Sequence, residues 1–143
     1  MKQVTIQFPS YIDRCVGFTV PENGQFYVVS FNALVYYQLD NGVMREIDQA
    51  WDLQEKANII LLEGHKIPFI GLWGGSPIHK REGIGELRLH NSIASLIHEH
   101  GEVGIWKFEN FSGDWEQITF DRYRNAFLFG APYDFDYRYV SIT

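Results

Sequence analysis

Two histidines that could hold a metal ion, His98 and His100, stand one residue apart in the segment 95–103, SLIHEHGEV. On a β-strand the side chains alternate, so both rings would lie on one face and could chelate a transition-metal ion. On a helix each residue advances by ~100°, so the two rings would diverge and could not share an ion. The type of element therefore decides whether this pair can bind a metal.

The residues around the pair favour a helix. Asn91 or Ser92 is a suitable N-cap, and Gly101 stands where a helix commonly ends. Apolar residues recur between them at helical spacing: Ile93, Leu96 and Ile97. A zinc-protease helix also needs His-Glu-x-x-His, with its histidines one turn apart, which this spacing does not provide. We therefore predict a helix that ends at Gly101, no metal site and no bound cofactor.

A glycine-rich loop is the leading candidate for a binding site. Residues 71–85, GLWGGSPIHKREGIG, contain five of the 13 glycines, and long loops often carry binding residues. Aromatic and cationic side chains suit an anionic or aromatic ligand, or the side chains of a partner. The side chains that we predict to bind are Trp73, His79, Lys80 and Arg81. The alternative is that Trp73 packs onto the core and that the charged groups are only solvated.

Familiar catalytic and nucleotide-binding motifs are incomplete in this loop. Residues 83–88, GIGELR, lack the third glycine of the dinucleotide fingerprint, and a strand-like run follows them. The chain contains no Gly-Lys-Ser/Thr, which a P-loop requires. Residues 74–78, GGSPI, lack the closing glycine of a nucleophile elbow, and Pro77 removes a backbone N–H that the oxyanion hole would need. Serine-hydrolase chemistry is therefore disfavoured.

These patterns favour a non-catalytic binding or regulatory module that recognises a protein or a small ligand through the exposed loop. The alternative is a small hydrolase- or isomerase-type enzyme in which a histidine and a carboxylate act as acid and base. The candidate histidines of such an enzyme are His79, His90, His98 and His100. Catalytic sites assemble from residues that are distant in sequence, so this alternative stays open.

Charge and composition indicate the partners and the compartment. The chain has 18 acidic and 12 basic residues, and the basic residues are scattered apart from Lys80-Arg81. A net charge of -6 disfavours nucleic acid, whereas it suits a basic protein partner. The lone cysteine, Cys15, suits a reducing compartment. No apolar stretch follows Lys2, and the longest aliphatic run, residues 59–62, is too short to span a membrane. We therefore expect a cytoplasmic protein without membrane contact.

Aromatic residues dominate the fold prediction. The 11 Phe, 8 Tyr and 4 Trp fit a half-buried pleated sheet better than a helix. Residues 25–39 are strand-like, and Asp40-Asn41-Gly42 after them is a strong hairpin signal. Residues 133–139 alternate aromatic and polar side chains, which predicts a strand with one buried aromatic face. We predict one domain over 1–143 with an α+β fold, a mainly antiparallel sheet built from hairpins with one to three short helices packed on it. An all-β barrel or sandwich is the alternative.

Several segments admit two interpretations. Residues 48–56 can form a short helix followed by a hairpin of residues 58–62 and 67–72, or residues 45–63 can form one long helix. Residues 122–129 fit either a brief helix capped by Asp121 or a strand. We also expect a hairpin between residues 104–110 and 114–120. If residues 67–72 instead pair with 86–90, the connection between them is about a dozen residues long.

Overall fold

The computed structural model describes residues 2–98, 100–107, 116–131 and 136–142. Within these ranges the regular structure is β-strand apart from one 3-10 turn, Leu39–Asn41. The strands are β1 (Lys2–Thr5), β2 (Cys15–Phe18), β3 (Gln25–Ser30), β4 (Leu34–Gln38), β5 (Val43–Glu46), β6 (Trp51–Gln54), β7 (Ile59–Leu62), β8 (His65–Pro68), β9 (Ile70–Gly71), β10 (Lys80–Arg81), β11 (Gly85–His90), β12 (Ile93–His98), β13 (Gly101–Lys107), β14 (Gln117–Phe120), β15 (Ala126–Ala131) and β16 (Asp136–Ser141). The described residues form no helix long and apolar enough to cross a membrane.

Within the described part of the chain the strands form four antiparallel sheets, which are not closed into a barrel. Sheet 1 has the order β1-β16-β15-β14, and sheet 2 has the order β5-β4-β3-β2-β9. Sheet 3 is β6-β7-β8, and sheet 4 is β10-β11-β12-β13. Most neighbours are consecutive strands, as expected for chain segments joined by tight turns. The exceptions are β1, which pairs with β16, and β9, which pairs with β2.

Three apolar clusters show how the sheets stack. The first cluster joins sheets 1 and 2, for example through Leu128 and Phe26. The second joins sheets 1 and 4, with Phe127 and Leu87 among its members. The third joins sheets 2 and 3 and includes Ile60. The stacking order is therefore sheet 4, sheet 1, sheet 2 and sheet 3, and the two inner sheets are covered on both faces.

Strands β2 and β15 of the two inner sheets are apolar along their length because both faces of these sheets are covered. All six residues of β15 are buried, as are all four of β2. A strand with no solvent-facing side is continuously apolar rather than alternating, so its sequence resembles that of a buried helix. This is why residues 122–129 fitted two interpretations, of which the strand is observed, beginning at Ala126.

Asp121 ties the turn before β15 to sheet 2. Its Oδ1 accepts hydrogen bonds from the backbone N–H groups of Tyr123 and Arg124, which stabilises the turn locally. The same carboxylate also accepts from the backbone N–H groups of Asn23 and Gly24, in the turn between β2 and β3. Asp121 is fully buried, so these bonds supply what water would otherwise provide. The sequence prediction had assigned Asp121 only a helix cap.

Two glycines permit the pairing of β2 with β9. Gly17 lies opposite Gly71 in this ladder. A Cβ on Gly71 would lie 2.0 Å from the carbonyl oxygen of Val16, and one on Gly17 would lie 2.5 Å from Cδ2 of Phe69. Any other residue would therefore push the two strands apart.

The predicted α+β class is wrong, because the described residues contain no α-helix. Residues 45–63 form neither proposed helix: they contain the end of β5 together with β6 and β7. A hairpin is confirmed here, since β7 pairs with β8, but its second strand is His65–Pro68 rather than residues 67–72. The hairpin at Asp40-Asn41-Gly42 is also confirmed, since β4 pairs with β5 and Gly42 has a φ of 64°. The alternative all-β class is therefore closer to the fold, without the barrel.

The predicted helix before Gly101 is wrong as well, and the reason is physical. Asn91 and Ser92 have φ angles of 49° and 61° and form the tight turn between β11 and β12. Asn and Ser favour helix caps and turns for the same reason, because their short polar side chains bond nearby backbone groups. In this turn, the Ser92 N–H and hydroxyl instead donate to a distant side chain, the Glu116 carboxylate, at 3.0 Å each. These residue types therefore predicted the start of a helix where the structure has a tight turn between two strands.

The hairpin predicted between residues 104–110 and 114–120 is not observed among their described residues, because β13 pairs with β12 and β14 pairs with β15. Residues 67–72 do not pair with 86–90: β9 lies beside β2, and β11 lies between β10 and β12. The aromatic face predicted for 133–139 is confirmed at Tyr137 and Tyr139, which are buried. Residues 133–135 lie outside the described residues.

Candidate ligand-binding cleft

A cleft of about 880 Å³ opens where sheet 2 meets sheet 3. Ligand sites in proteins commonly have volumes of roughly 300–1,000 Å³, so this cleft is large enough for a small molecule or a few side chains of a partner. Sheet 2 contributes Tyr27, Tyr36 and Arg45, and the turn before β7 contributes Asn58. Further lining residues come from β8, from the loop after β9 and from the turn before β15.

One wall of the cleft is an aromatic and cationic row across three adjacent strands. Tyr27 on β3 lies opposite Tyr36 on β4, which in turn lies opposite Arg45 on β5. The two tyrosine ring centroids are 5.3 Å apart, and the Arg45 Cζ lies 5.3 Å from the Tyr36 ring centroid. The Tyr36 hydroxyl donates a 2.6 Å hydrogen bond to Gln25 Oε1. These contacts hold both rings and the guanidinium in place before any ligand binds.

The electrostatics of this wall keep Tyr27 neutral. Burial raises the pKa of Tyr27, the neighbouring Tyr36 raises it further, and the positive charge of Arg45 lowers it. Because the first two effects prevail, Tyr27 offers an uncharged ring and an O–H donor at neutral pH. Arg45 supplies the positive charge.

The loop after β9 borders the cleft through Gly75 and Ser76. Gly75 has a φ of 117°, and a Cβ there would lie 2.6 Å from the carbonyl oxygen of Phe69. This close approach requires glycine. The Asn58 Nδ2 donates a 3.3 Å hydrogen bond to the carbonyl oxygen of Trp73, which joins the loop to sheet 3. The Asn58 Oδ1 is buried and accepts no hydrogen bond within the described part of the chain.

The surface ion pair between Arg122 and Glu22 also lines the cleft. The Arg122 Nε donates a 3.1 Å hydrogen bond to Oε1 of Glu22, and both side chains are largely exposed. An exposed pair of this kind contributes little to stability. It is therefore free to rearrange when a charged group enters the cleft.

The loop residues predicted to bind have separate environments. Trp73 packs edge-on against Phe31 and Phe69, in the cluster between sheets 2 and 3. The Arg81 Nη1 donates to the backbone carbonyl oxygens of Asp121, at 3.2 Å, and of Arg124. These contacts give Trp73 and Arg81 packing roles. That they also bind a ligand stays a prediction.

The other two predicted residues, His79 and Lys80, are exposed. Lys80 lies on β10 opposite Glu86, and the carbonyl oxygen of His79 accepts a hydrogen bond from the Leu87 N–H. Among the described residues, the lining of the cleft includes Gly75 and Ser76 from this loop and none of the four predicted side chains. This loop therefore reaches the cleft through Gly75 and Ser76 and not through its charged side chains.

Tyr27, Tyr36 and Arg45 were missed by the sequence analysis, although part of the signal was present. The Asp40-Asn41-Gly42 turn sets the register of β4 and β5, and this register places Tyr36 opposite Arg45. The cleft itself could not be predicted, because sheet 3 was expected to be partly helical.

The histidines proposed for an enzyme do not gather at the cleft. His79, His90 and His100 are exposed and His98 is half-buried, all of them in or beside sheet 4. Burial raises the pKa of the Cys15 thiol to about 12 and keeps it protonated, so it does not supply a thiolate nucleophile in the folded chain.

Comparisons with protein-family models, curated proteins and solved structures find no match for this chain.

Proposed function

We propose that this protein is a non-catalytic binding module whose cleft between sheets 2 and 3 holds a small ligand or a side chain of a protein partner. The observation that carries the proposal is the prearranged row of Tyr27, Tyr36 and Arg45 along a cleft of about 880 Å³. Rigid aromatic groups bind with a low loss of conformational entropy, and arginine recognises carboxylate or phosphate through paired hydrogen bonds.

The chemistry of the wall indicates a ligand with a planar ring and a negatively charged group. The ring would pack against the neutral tyrosines, and the anionic group would bind the Arg45 guanidinium. A donor N–H or O–H on the ligand that reached the Asn58 Oδ1 would offset the cost of burying this acceptor without a hydrogen bond. An enzyme receives less support, because the cleft lining in the described ranges contains no histidine.

A fragment screen by NMR tests the proposal. We expect aromatic acids, such as phenylacetate and indole acetate, to shift the resonances of Tyr27, Tyr36 and Gly75 and to bind at least about tenfold more tightly than their uncharged amides. The variant Arg45→Gln should remove the preference for the acid, while the control Arg88→Gln on sheet 4 should retain it. Fragments that gather at a different surface, or acids and amides that bind equally, would refute the proposal.

A further inference from the structure

A second candidate site lies in sheet 4, away from the cleft, and does not depend on the proposed function. The ring centroids of His98 and His100 are 5.6 Å apart, with an angle of 37° between the ring planes. A helix would have turned the two rings apart and prevented a shared ion. His98 instead ends strand β12, so the two rings can lie side by side.

The backbone explains how the two rings meet. His98 pairs with Gly101, so His100 belongs to the short connection between β12 and β13. The ladder shifts between Leu96 and Ile97: Leu96 pairs with Gly104 and Ile97 with Glu102. Val103 is therefore an extra residue on β13, a bulge. Bulges increase the local twist and redirect side chains, and they are common next to functional sites.

The separation of the rings fits a shared ion. Two imidazoles that bind one ion through metal–nitrogen bonds of about 2.1 Å place their ring centroids roughly 4.5 to 5.5 Å apart. The observed 5.6 Å lies close to the upper end of this range, so rotation of the two side chains is enough for chelation. His100 is exposed and His98 is half-buried, so an ion can reach the pair from solvent.

We propose that His98 and His100 chelate one divalent transition-metal ion at the turn between β12 and β13. Imidazole nitrogen suits Cu²⁺, Ni²⁺ and Zn²⁺, whereas Mg²⁺ prefers oxygen ligands. The described residues contain no group of three or more His, Cys, Asp or Glu side chains that could hold a metal ion. Among the described residues the protein ligands are the two imidazoles, and water completes the coordination. Affinity rises from Ni²⁺ to Cu²⁺ in such a site.

Calorimetric titration of the tag-free, full-length chain with Ni²⁺ tests this proposal. We expect one ion per chain, and at least an about tenfold loss of affinity in both His98→Gln and His100→Gln. Most of the affinity should be lost in each single variant, because one remaining ring cannot chelate, and the double variant should bind no more tightly than either. His65→Gln serves as the matched control, since His65 is exposed and lies in sheet 3. Mg²⁺ should give no binding heat at this site.

The proposal would be overturned by an unchanged Ni²⁺ affinity in His100→Gln or by an equal loss of affinity in His65→Gln. The absence of Ni²⁺ binding by the unaltered protein would also overturn it. His100 is exposed, so its substitution leaves the fold intact, which circular dichroism verifies. A thermal melt adds a second readout: Ni²⁺ should raise the Tm of the unaltered protein and leave that of His100→Gln unchanged.

Discussion

The phenol of Tyr139 donates a 2.8 Å hydrogen bond to Oδ2 of Asp121, and both residues are buried. Tyr137, two positions earlier on β16, is fully buried too, yet its hydroxyl has no hydrogen-bond partner within the described residues. Both tyrosines therefore lie on β16 and are buried, but only the Tyr139 hydroxyl has a hydrogen-bond partner among the described residues.

This difference predicts opposite effects of the same substitution. Tyr139→Phe should lower the free energy of unfolding by about 1–3 kcal/mol, because the buried Asp121 carboxylate loses a donor. Tyr137→Phe should leave it unchanged or raise it by up to about 1 kcal/mol, since it removes an unpaired buried hydroxyl. Urea unfolding followed by fluorescence measures both. Equal losses in the two variants would contradict the assigned hydrogen bond.

Arg81 and Lys80 provide a second matched pair, in the loop first considered for ligand binding. Arg81→Ala should destabilise the fold by about 1–3 kcal/mol, because the carbonyl oxygens of Asp121 and Arg124 lose a charged donor. Lys80→Ala, at the exposed neighbouring position, should change stability by less than about 0.5 kcal/mol. Thermal unfolding distinguishes the two. Similar melting points for both variants would show that Arg81 has no packing role.

The turn between β7 and β8 contains a strained residue. Glu63 has a φ of 49°, in the left-handed region, and precedes Gly64, which has a φ of 82°. Glu63→Asn creates an Asn-Gly turn, in which both residues tolerate positive φ, and should raise the free energy of unfolding by about 0.5–1 kcal/mol. Glu82→Asn, at an exposed turn position elsewhere, is the control for the loss of charge. An equal rise in the free energy of unfolding in Glu82→Asn would show that the backbone of Glu63 is not strained.

Stability should fall at alkaline pH. Burial, as the largest cause, raises the pKa of Tyr37, Tyr137 and Tyr139 above the ordinary value of 10.0, and it raises that of Cys15 from 9.0 to about 12. These groups ionise more readily in the unfolded chain, so their contribution is fully present below about pH 9 and is lost as the pH rises towards the folded pKa values. Urea unfolding between pH 8 and 11 measures the decline.

Absorbance at 295 nm, which reports tyrosine ionisation, supplies the control for this prediction. The buried tyrosines should ionise together with the loss of circular dichroism rather than before it. Their ionisation in a fully folded protein would contradict the raised pKa values. Cys15 should likewise react with a thiol reagent at pH 8 only after unfolding.

Local features of the fold were predictable because their cause lies within a few residues. The Asp40-Asn41-Gly42 turn and the alternation around Tyr137 and Tyr139 specify a reversal and a two-faced strand by backbone and side-chain geometry alone. The errors arose where one local signal serves two structures. Asn91 and Ser92 suit a helix cap as well as a tight turn, and the apolar run of β15 suits a buried helix as well as a buried strand.

Residue types and their spacing specify a β-rich, aromatic chain with identifiable turns and a glycine-rich loop. Strand pairing and sheet stacking depend on the folded chain, because contacts such as β1 with β16 join segments that no local pattern connects. The same long-range packing assembles the cleft from two sheets and shows that His98 and His100 lie side by side. A residue's type states which chemistry it can perform, whereas its neighbours in space decide whether it can perform it.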